Sequence, residues 1–146
     1  MQIYLDTARI KEIEKYIEYT FVDGITTNPS LIKDADESYT KVISSINNIS
    51  KKFKKDLSIE VLTNDKDKIV EEAFMIYDHL ENENLYIKVP ISFENLTPIE
   101  KLISKNIKVN CTCVFNLHQV MILENMGVDI ISIFYNRIKD SGNDPD

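Results

Sequence analysis

The stretch "LSIEVLTNDKDKIVEEAFMIYDHLENENLYIKVP", residues 57–90, reads as one strand, helix and strand in succession. "LSIEVL" (57–62) is an apolar run of strand length. "NDKDKIVEEAFMIYDHL" (64–80) opens on Asn/Asp capping residues and repeats Ile69, Ala73, Ile76 and Leu80 at helical spacing. "LYIKVP" (85–90) returns to strand character. A strand, a crossover helix and a second apolar strand make the repeating unit of a parallel sheet covered by helices.

The same alternation extends in both directions. Upstream, "QIYLD" (2–6) is a strand, and "TARIKEIEKYIEY" is a helix through Ile10, Ile13 and Ile17 that Thr7 or Asp6 can cap. "FVDGIT" (21–26) is a strand, followed by a short helical turn after Asn28-Pro29 and a longer helix through Val42, Ile46 and Ile49. Downstream, "ENLTPIEKLISKN" is a helix entered near Thr97, with Pro98 in its first turn. "KVNCTCVF" (108–115) is a strand, "NLHQVMILENMG" a helix closed by Gly127, and "VDIISIF" (128–134) a sixth strand. The final "YNRIKDSGNDPD" is polar and turn-rich.

The fold class expected is α/β, as a parallel (β/α) TIM-type barrel in a single domain over residues 1–146. A doubly wound nucleotide-binding sheet is disfavoured. G-x-G-x-x-G and G-x-x-x-x-G-K-[ST] are both missing, and three glycines leave little room for either. About six of the eight βα units of a full barrel are present, whereas a complete barrel needs roughly 200 residues or more. Six strands leave two parallel edges with unpaired backbone groups, so an open barrel is expected to be unstable alone or completed by another chain.

A hydrophobic fraction of 43% suffices for a core. The net charge of -7 repels polyanions, which argues against nucleic acid and anionic membranes as partners. The start "MQIYLDTARI" lacks the basic and apolar regions of a secretion signal, and no apolar run reaches the ~18 residues of a membrane helix. A cytoplasmic protein is expected. Cys111 and Cys113 lack redox or zinc spacing and are read as reduced, packed thiols on one strand face. His79 and His118 lie on predicted helices with no metal-site pattern, and "KKFKK" (51–55) reads as a solvated helix end.

Polar residues recur near the C-terminal ends of the strands. Asp6 ends the first, Asn28 follows the second, and Glu60 and Lys88 lie in the third and fourth. The fifth carries Asn110 and Thr112, and the sixth Ser132, with Arg137 just beyond. Period-two alternation puts Asn110, Thr112 and Val114 on one face and the two cysteines on the other. Singly, each has a structural explanation: a cap, an Asx turn before Pro29, a β-former, a surface cation. Together they converge on the rim from which barrel enzymes draw their catalytic groups.

Lys88 is the sharpest of these. An ammonium in an apolar strand is costly to bury unless it is paired or loses its charge. Snorkelling to water from an edge strand is the plain alternative. Beside Asp6, Glu60 and Thr112, desolvation instead favours a neutral amine able to attack a ketone carbonyl. The resulting Schiff base withdraws electrons from the adjacent C–C bond, a chemistry that requires neither metal nor cofactor.

"YLDTA" (4–8), "VDGITTNPSLI" (22–32), "IEVL" (59–62), "IKVP" (87–90), "VNCTCVF" (109–115) and "ISIFYNRI" (131–138) resemble, in order, the strand motifs of the transaldolase family. The likeness is to its short branch, which includes the fructose-6-phosphate aldolases. This resemblance implies Lys88 as the Schiff-base lysine and Asp6 as an acid/base group. It implies Asn28 and Asn110 as ligands of substrate oxygens, and Glu60 and Thr112 as holders of a proton-relaying water. Ser132 and Phe134 would line the pocket and Arg137 would contact the sugar phosphate.

Glu60 and Phe134 take the transaldolase choices where the aldolases typically carry Gln and Tyr. "ISIFYNR" lacks a proline usual in the family, and the family's last two βα units, which would come after "SGNDPD", are not among these 146 residues, so the barrel is expected to be C-terminally short. Sugar phosphates are the substrates implied, with a homo-oligomer or association through open barrel edges. The expected activity is transfer or release of a dihydroxyacetone unit from a ketose phosphate. The alternatives are simple retro-aldol cleavage, a deoxyribose-phosphate type of lysine aldolase, or an inactive barrel fragment serving as a binding module.

Overall fold

The computed structural model describes residues 2–34, 37–142 and 144. In chain order the elements are β1 (Tyr4–Asp6), α1 (Ile10–Tyr16), β2 (Gly24–Thr26), α2 (Pro29–Lys33), α3 (Tyr39–Phe53), β3 (Asp56–Glu60) and α4 (Lys66–Leu80). They continue with β4 (Leu85–Pro90), α5 (Leu96–Ser104), β5 (Val109–Val114), α6 (Leu117–Met126), β6 (Ile130–Ile133) and α7 (Tyr135–Asp140). The strands form one parallel sheet in the order β1-β2-β3-β4-β5-β6. It curls into part of a (β/α) TIM-type barrel.

Strand alternation decides where the core lies. Ile25, Leu57, Ile59, Leu85, Ile87, Val89, Val109 and Cys111 share the helix-facing side and are almost wholly buried. Against them pack Ile13 of α1, Val42 and Ile46 of α3, Ile69 and Ala73 of α4, Ile99 and Leu102 of α5, and Leu123 of α6. Burial of each such side chain contributes roughly 1.5–3 kcal/mol. The opposite side carries Asp6, Thr26, Ser58, Glu60, Lys88, Asn110 and Thr112. The apolar layer is therefore outside the curl and the polar residues inside it.

At the strands' N-terminal ends, the Tyr4 hydroxyl donates to Asp56 Oδ2 at 2.7 Å. The tyrosine ring approaches β2 closely, and a Cβ on Gly24 would sit 2.4 Å from ring atom Cε1. Only glycine permits that approach. Asp23 and Asp129 accept from the backbone N–H groups of Ile3 and Val109, at 2.7 and 2.8 Å.

Several local expectations change. Neither Asp6 nor Thr7 is the cap residue of α1, which starts after Arg9 without a side-chain cap bond. The Thr7 hydroxyl instead accepts from Arg9 N and donates to Glu12. α5 begins at Leu96, one residue before Thr97, with Pro98 in its first turn as expected. Tyr135–Asp140 is a helix where the sequence suggests only turns, anchored by buried Ile138. The "KKFKK" end is only partly solvated, because Lys51 and Lys55 donate to the carbonyls of Leu80 and Val22.

The largest correction concerns β5. Cys111 pairs with Ile131 and Val114 with Ile133, so β5 carries one residue more than β6 over this interval. The extra residue is absorbed at Cys113, whose φ of 60° is left-handed. Val114 therefore shares the face of Cys111, and Cys113 does not. Both cysteines are free thiols.

β1 and β6 are the sheet's edges, each paired on one side among the described residues. Ile3, just before β1, and Ile133, the last residue of β6, are 45% and 53% exposed. No described helix is long and apolar enough to cross a membrane.

Candidate active site

The register aligns Glu60 of β3 with Lys88 of β4, and Lys88 with Asn110 of β5. Because paired residues of parallel neighbours point the same way, the three form a row across the inner face. Lys88 is buried, and its Nζ lies 3.5 Å from Glu60 Oε2. The ammonium also donates to the Thr27 carbonyl at 3.3 Å. Snorkelling is thereby excluded, since β4 is central in the sheet and the amine stays inside.

Burial pushes the Glu60 carboxyl above its ordinary range, Lys88 draws it back, and Asp6 pushes it up again. Asp6 ends the edge strand β1, exposed at the mouth, within electrostatic reach of Glu60. Thr112 is fully buried on β5, and its Oγ1 has no protein partner. Thr26 and Thr27 have the same orphaned hydroxyls. The unpartnered buried hydroxyls of Thr26 and Thr112, on the sheet face that carries the ion pair, leave hydrogen-bonding capacity for something else.

Asn110 is gripped from two sides. Its Nδ2 donates to Ser58 Oγ at 2.8 Å, and its Oδ1 accepts from Ser132 Oγ at 2.8 Å. Asn28 lies at the N-cap of α2, where its Oδ1 accepts from Leu31 N at 3.0 Å, leaving its Nδ2 uncommitted.

Two expected site residues stand apart from this cluster. Phe134, half-buried at the start of α7, packs edge-on against Phe115 with centroids 5.6 Å apart. Arg137 is exposed on α7, and its side chain makes no hydrogen bond or ion pair with a described residue.

Other participants escape a sequence reading. Ser58 shares the parity of Glu60 two residues on, a signal that was available. The Thr27 carbonyl has no side-chain signature. Tyr39 of α3 lies within reach of Glu60 and Glu72, and burial pushes its phenol up to about 12. The bulge brings Cys113 within electrostatic reach of Glu60 and Lys88, and burial raises its thiol. Cys111, on the core side, is raised by burial to about 12.

A sequence profile described as transaldolase/fructose-6-phosphate aldolase matches residues 3–146. The chain is 40% identical over 144 residues to a probable transaldolase of Thermoplasma volcanium, covering 99% of this chain and 64% of that protein. It is 35% identical over 151 residues to a probable transaldolase of Nitrosopumilus maritimus, covering 99% and 63%. A probable transaldolase 2 of Listeria monocytogenes is 34% identical over 144 residues, covering 99% and 64%. The chain thus spans a little under two thirds of the length of these relatives. The parallel strand order and the match over nearly every residue agree: the chain belongs to the transaldolase/fructose-6-phosphate aldolase family.

Proposed function

We propose that this chain carries the Schiff-base site of a transaldolase-type enzyme, with Lys88 as the nucleophile. The observation that carries the reading is a lysine buried on the inner face of β4, paired with Glu60 across the strand register. Once its proton has passed to Glu60, the neutral Lys88 amine adds to the ketone carbon of a ketose phosphate, and loss of water gives an iminium. Asp6 takes the proton of the hydroxyl beside the bond to be broken. That C–C bond breaks, its electrons flow into the iminium to give an enamine, and an aldehyde leaves.

In transfer, the enamine attacks a second aldehyde; in simple aldol cleavage it is protonated and hydrolysed off Lys88. Glu60 and the orphaned Thr112 hydroxyl would hold the water that carries protons between these steps. Asn28 and Asn110 would bind the dihydroxyacetone oxygens, Ser132 and Phe134 would line the pocket, and exposed Arg137 would meet the phosphate. Glu60 favours transfer over simple cleavage, as the transaldolase choice at its position.

A second reading concerns assembly. The exposed apolar residues at both sheet edges, Ile3 and Ile133, favour closure of the barrel by further strands.

The chemistry is tested by reducing the chain with borohydride in the presence of fructose 6-phosphate. The expected result is a stable mass increase mapped to Lys88 and absent from Lys88→Met. Well-folded chain that forms no adduct would overturn the reading. Product release that requires an added aldose marks transfer, and release without one marks aldol cleavage.

A further inference from the structure

Ser58 has no role in the chemistry above, yet it is fully buried and bonded to a proposed substrate ligand. Ser58 lies on β3 and Asn110 on β5, so their 2.8 Å hydrogen bond passes over β4, the strand that carries Lys88. On its other side Asn110 is held by Ser132 of β6, also at 2.8 Å. One amide thus ties together three strands that surround the nucleophile.

The carboxamide torsion of asparagine is broad and roughly two-fold, so an unheld amide samples several orientations. With Ser58 on its nitrogen and Ser132 on its oxygen, Asn110 keeps one N–H and one lone pair free. Those are what it can offer a substrate.

We propose that Ser58 is a positioning residue, which fixes the Asn110 carboxamide in the orientation that binds the ketose before Lys88 attacks. Orientation set before binding spares the ordering cost at the moment of binding. Ser132 supports the same amide from the exposed edge, but Ser58 does so from the interior, where loss of its hydroxyl leaves an Asn110 donor without a partner. The inference rests on the Schiff-base reading of Lys88.

The test measures the fructose 6-phosphate concentration that gives half-maximal borohydride adduct, together with thermal unfolding. Ser58→Ala should raise that concentration about tenfold, the scale of one buried hydrogen bond, and leave the saturating adduct on Lys88 intact. In an Asn110→Ala background, Ser58→Ala should add nothing further, because the amide through which Ser58 acts is gone.

An unchanged concentration dependence in Ser58→Ala overturns the inference while leaving the Schiff-base reading standing. Additive losses in the double variant overturn it too, by showing a merely structural role. No adduct in the unsubstituted chain overturns both. If Ser58→Ala does not fold, Ser58→Cys keeps the volume with a poor acceptor and takes its place in the same comparison, with the same outcomes.

Discussion

Two buried polar clusters in this molecule are built on opposite rules. The first joins α3 to the turn between α4 and β4. Asn47 Nδ2 donates to the Leu80 carbonyl at 2.9 Å, and Asn82 Nδ2 donates to Asn47 Oδ1 at 2.9 Å and Ser50 Oγ at 3.0 Å. Ser50 Oγ donates to the Lys55 carbonyl at 2.7 Å, and Asn82 Oδ1 accepts from Asn84 N at 3.0 Å. Every side-chain nitrogen and oxygen of Asn47, Ser50 and Asn82 has a partner within the protein.

The second cluster surrounds Lys88. Its central ion pair is 3.5 Å long, its lysine bond to Thr27 is 3.3 Å, and the buried Thr26 and Thr112 hydroxyls of the same sheet face have no protein partner. A closed network rigidifies and demands nothing more, whereas an incomplete one is costly unless something completes it. The difference separates a clamp from a site.

Substitutions break the two clusters differently. The largest effect is expected for Lys88→Met, which should abolish the borohydride adduct outright. It also strands the Glu60 carboxylate, with a stability loss of about 3 kcal/mol at neutral pH. Lys88 is the group that draws the Glu60 carboxyl down, so its removal leaves burial unopposed. A raised folded-state value means that the folded chain holds its proton longer than the unfolded chain does. The loss should therefore be absent below the ordinary value of 4.5 and grow as pH rises through the folded value, readable by urea unfolding across pH.

Next comes Asn82→Ala, which orphans Asn47 Oδ1 and removes the ties to Ser50 and Asn84. A loss of about 2–3 kcal/mol is expected by urea unfolding, with no change in the ketose concentration that saturates Lys88. Thr112→Val should behave the other way round. It exchanges an unpartnered hydroxyl for a methyl of the same shape, so stability should rise by about 1 kcal/mol while adduct formation slows. A stability loss in Thr112→Val would mean that its hydroxyl is satisfied in solution, and the contrast between the clusters would weaken.

The fold was legible where periodicity is clean. β4 occupies residues 85–90 as expected, and α6 ends on Gly127 at a φ of 77°. α7 was hidden because one buried residue, Ile138, anchors a segment of otherwise polar composition. The β5 bulge was hidden for a deeper reason: alternation assumes an unbroken strand, and nothing about a cysteine announces a left-handed φ. That error exchanged the faces of Cys113 and Val114.

In the site, Lys88 and Glu60 stood out because charge inside a parallel strand is conspicuous. Ser58 has the same parity but an ordinary side chain, so parity alone is a weak signal and its hydrogen bond to Asn110 is what singles it out. Thr27 acts through a backbone carbonyl, which no side-chain pattern encodes. Arg137 depended on where the chain turns after β6, and that turn became a helix.

The smallest effect, and the finest probe of the contrast, is the pH slope contributed by Glu60 itself. Burial raises its carboxyl and Asp6 adds to the rise, while Lys88 offsets part of it. An acid whose folded value lies above its unfolded value contributes nothing when both states are protonated. As pH climbs from about the ordinary 4.5 through the folded value, the unfolded chain releases the proton first and folded stability declines. Glu60→Gln has no proton to lose, so its stability should be flatter across that window, and wild type should fall relative to it as pH rises. In the closed cluster neither Asn47 nor Asn82 titrates, and Asn82→Ala should run parallel to wild type at every pH. Parallel curves for Glu60→Gln and wild type would show that Lys88 fully compensates the buried carboxylate. The pair would then be as complete as the clamp, and the open capacity of the site would reside in the threonine hydroxyls alone.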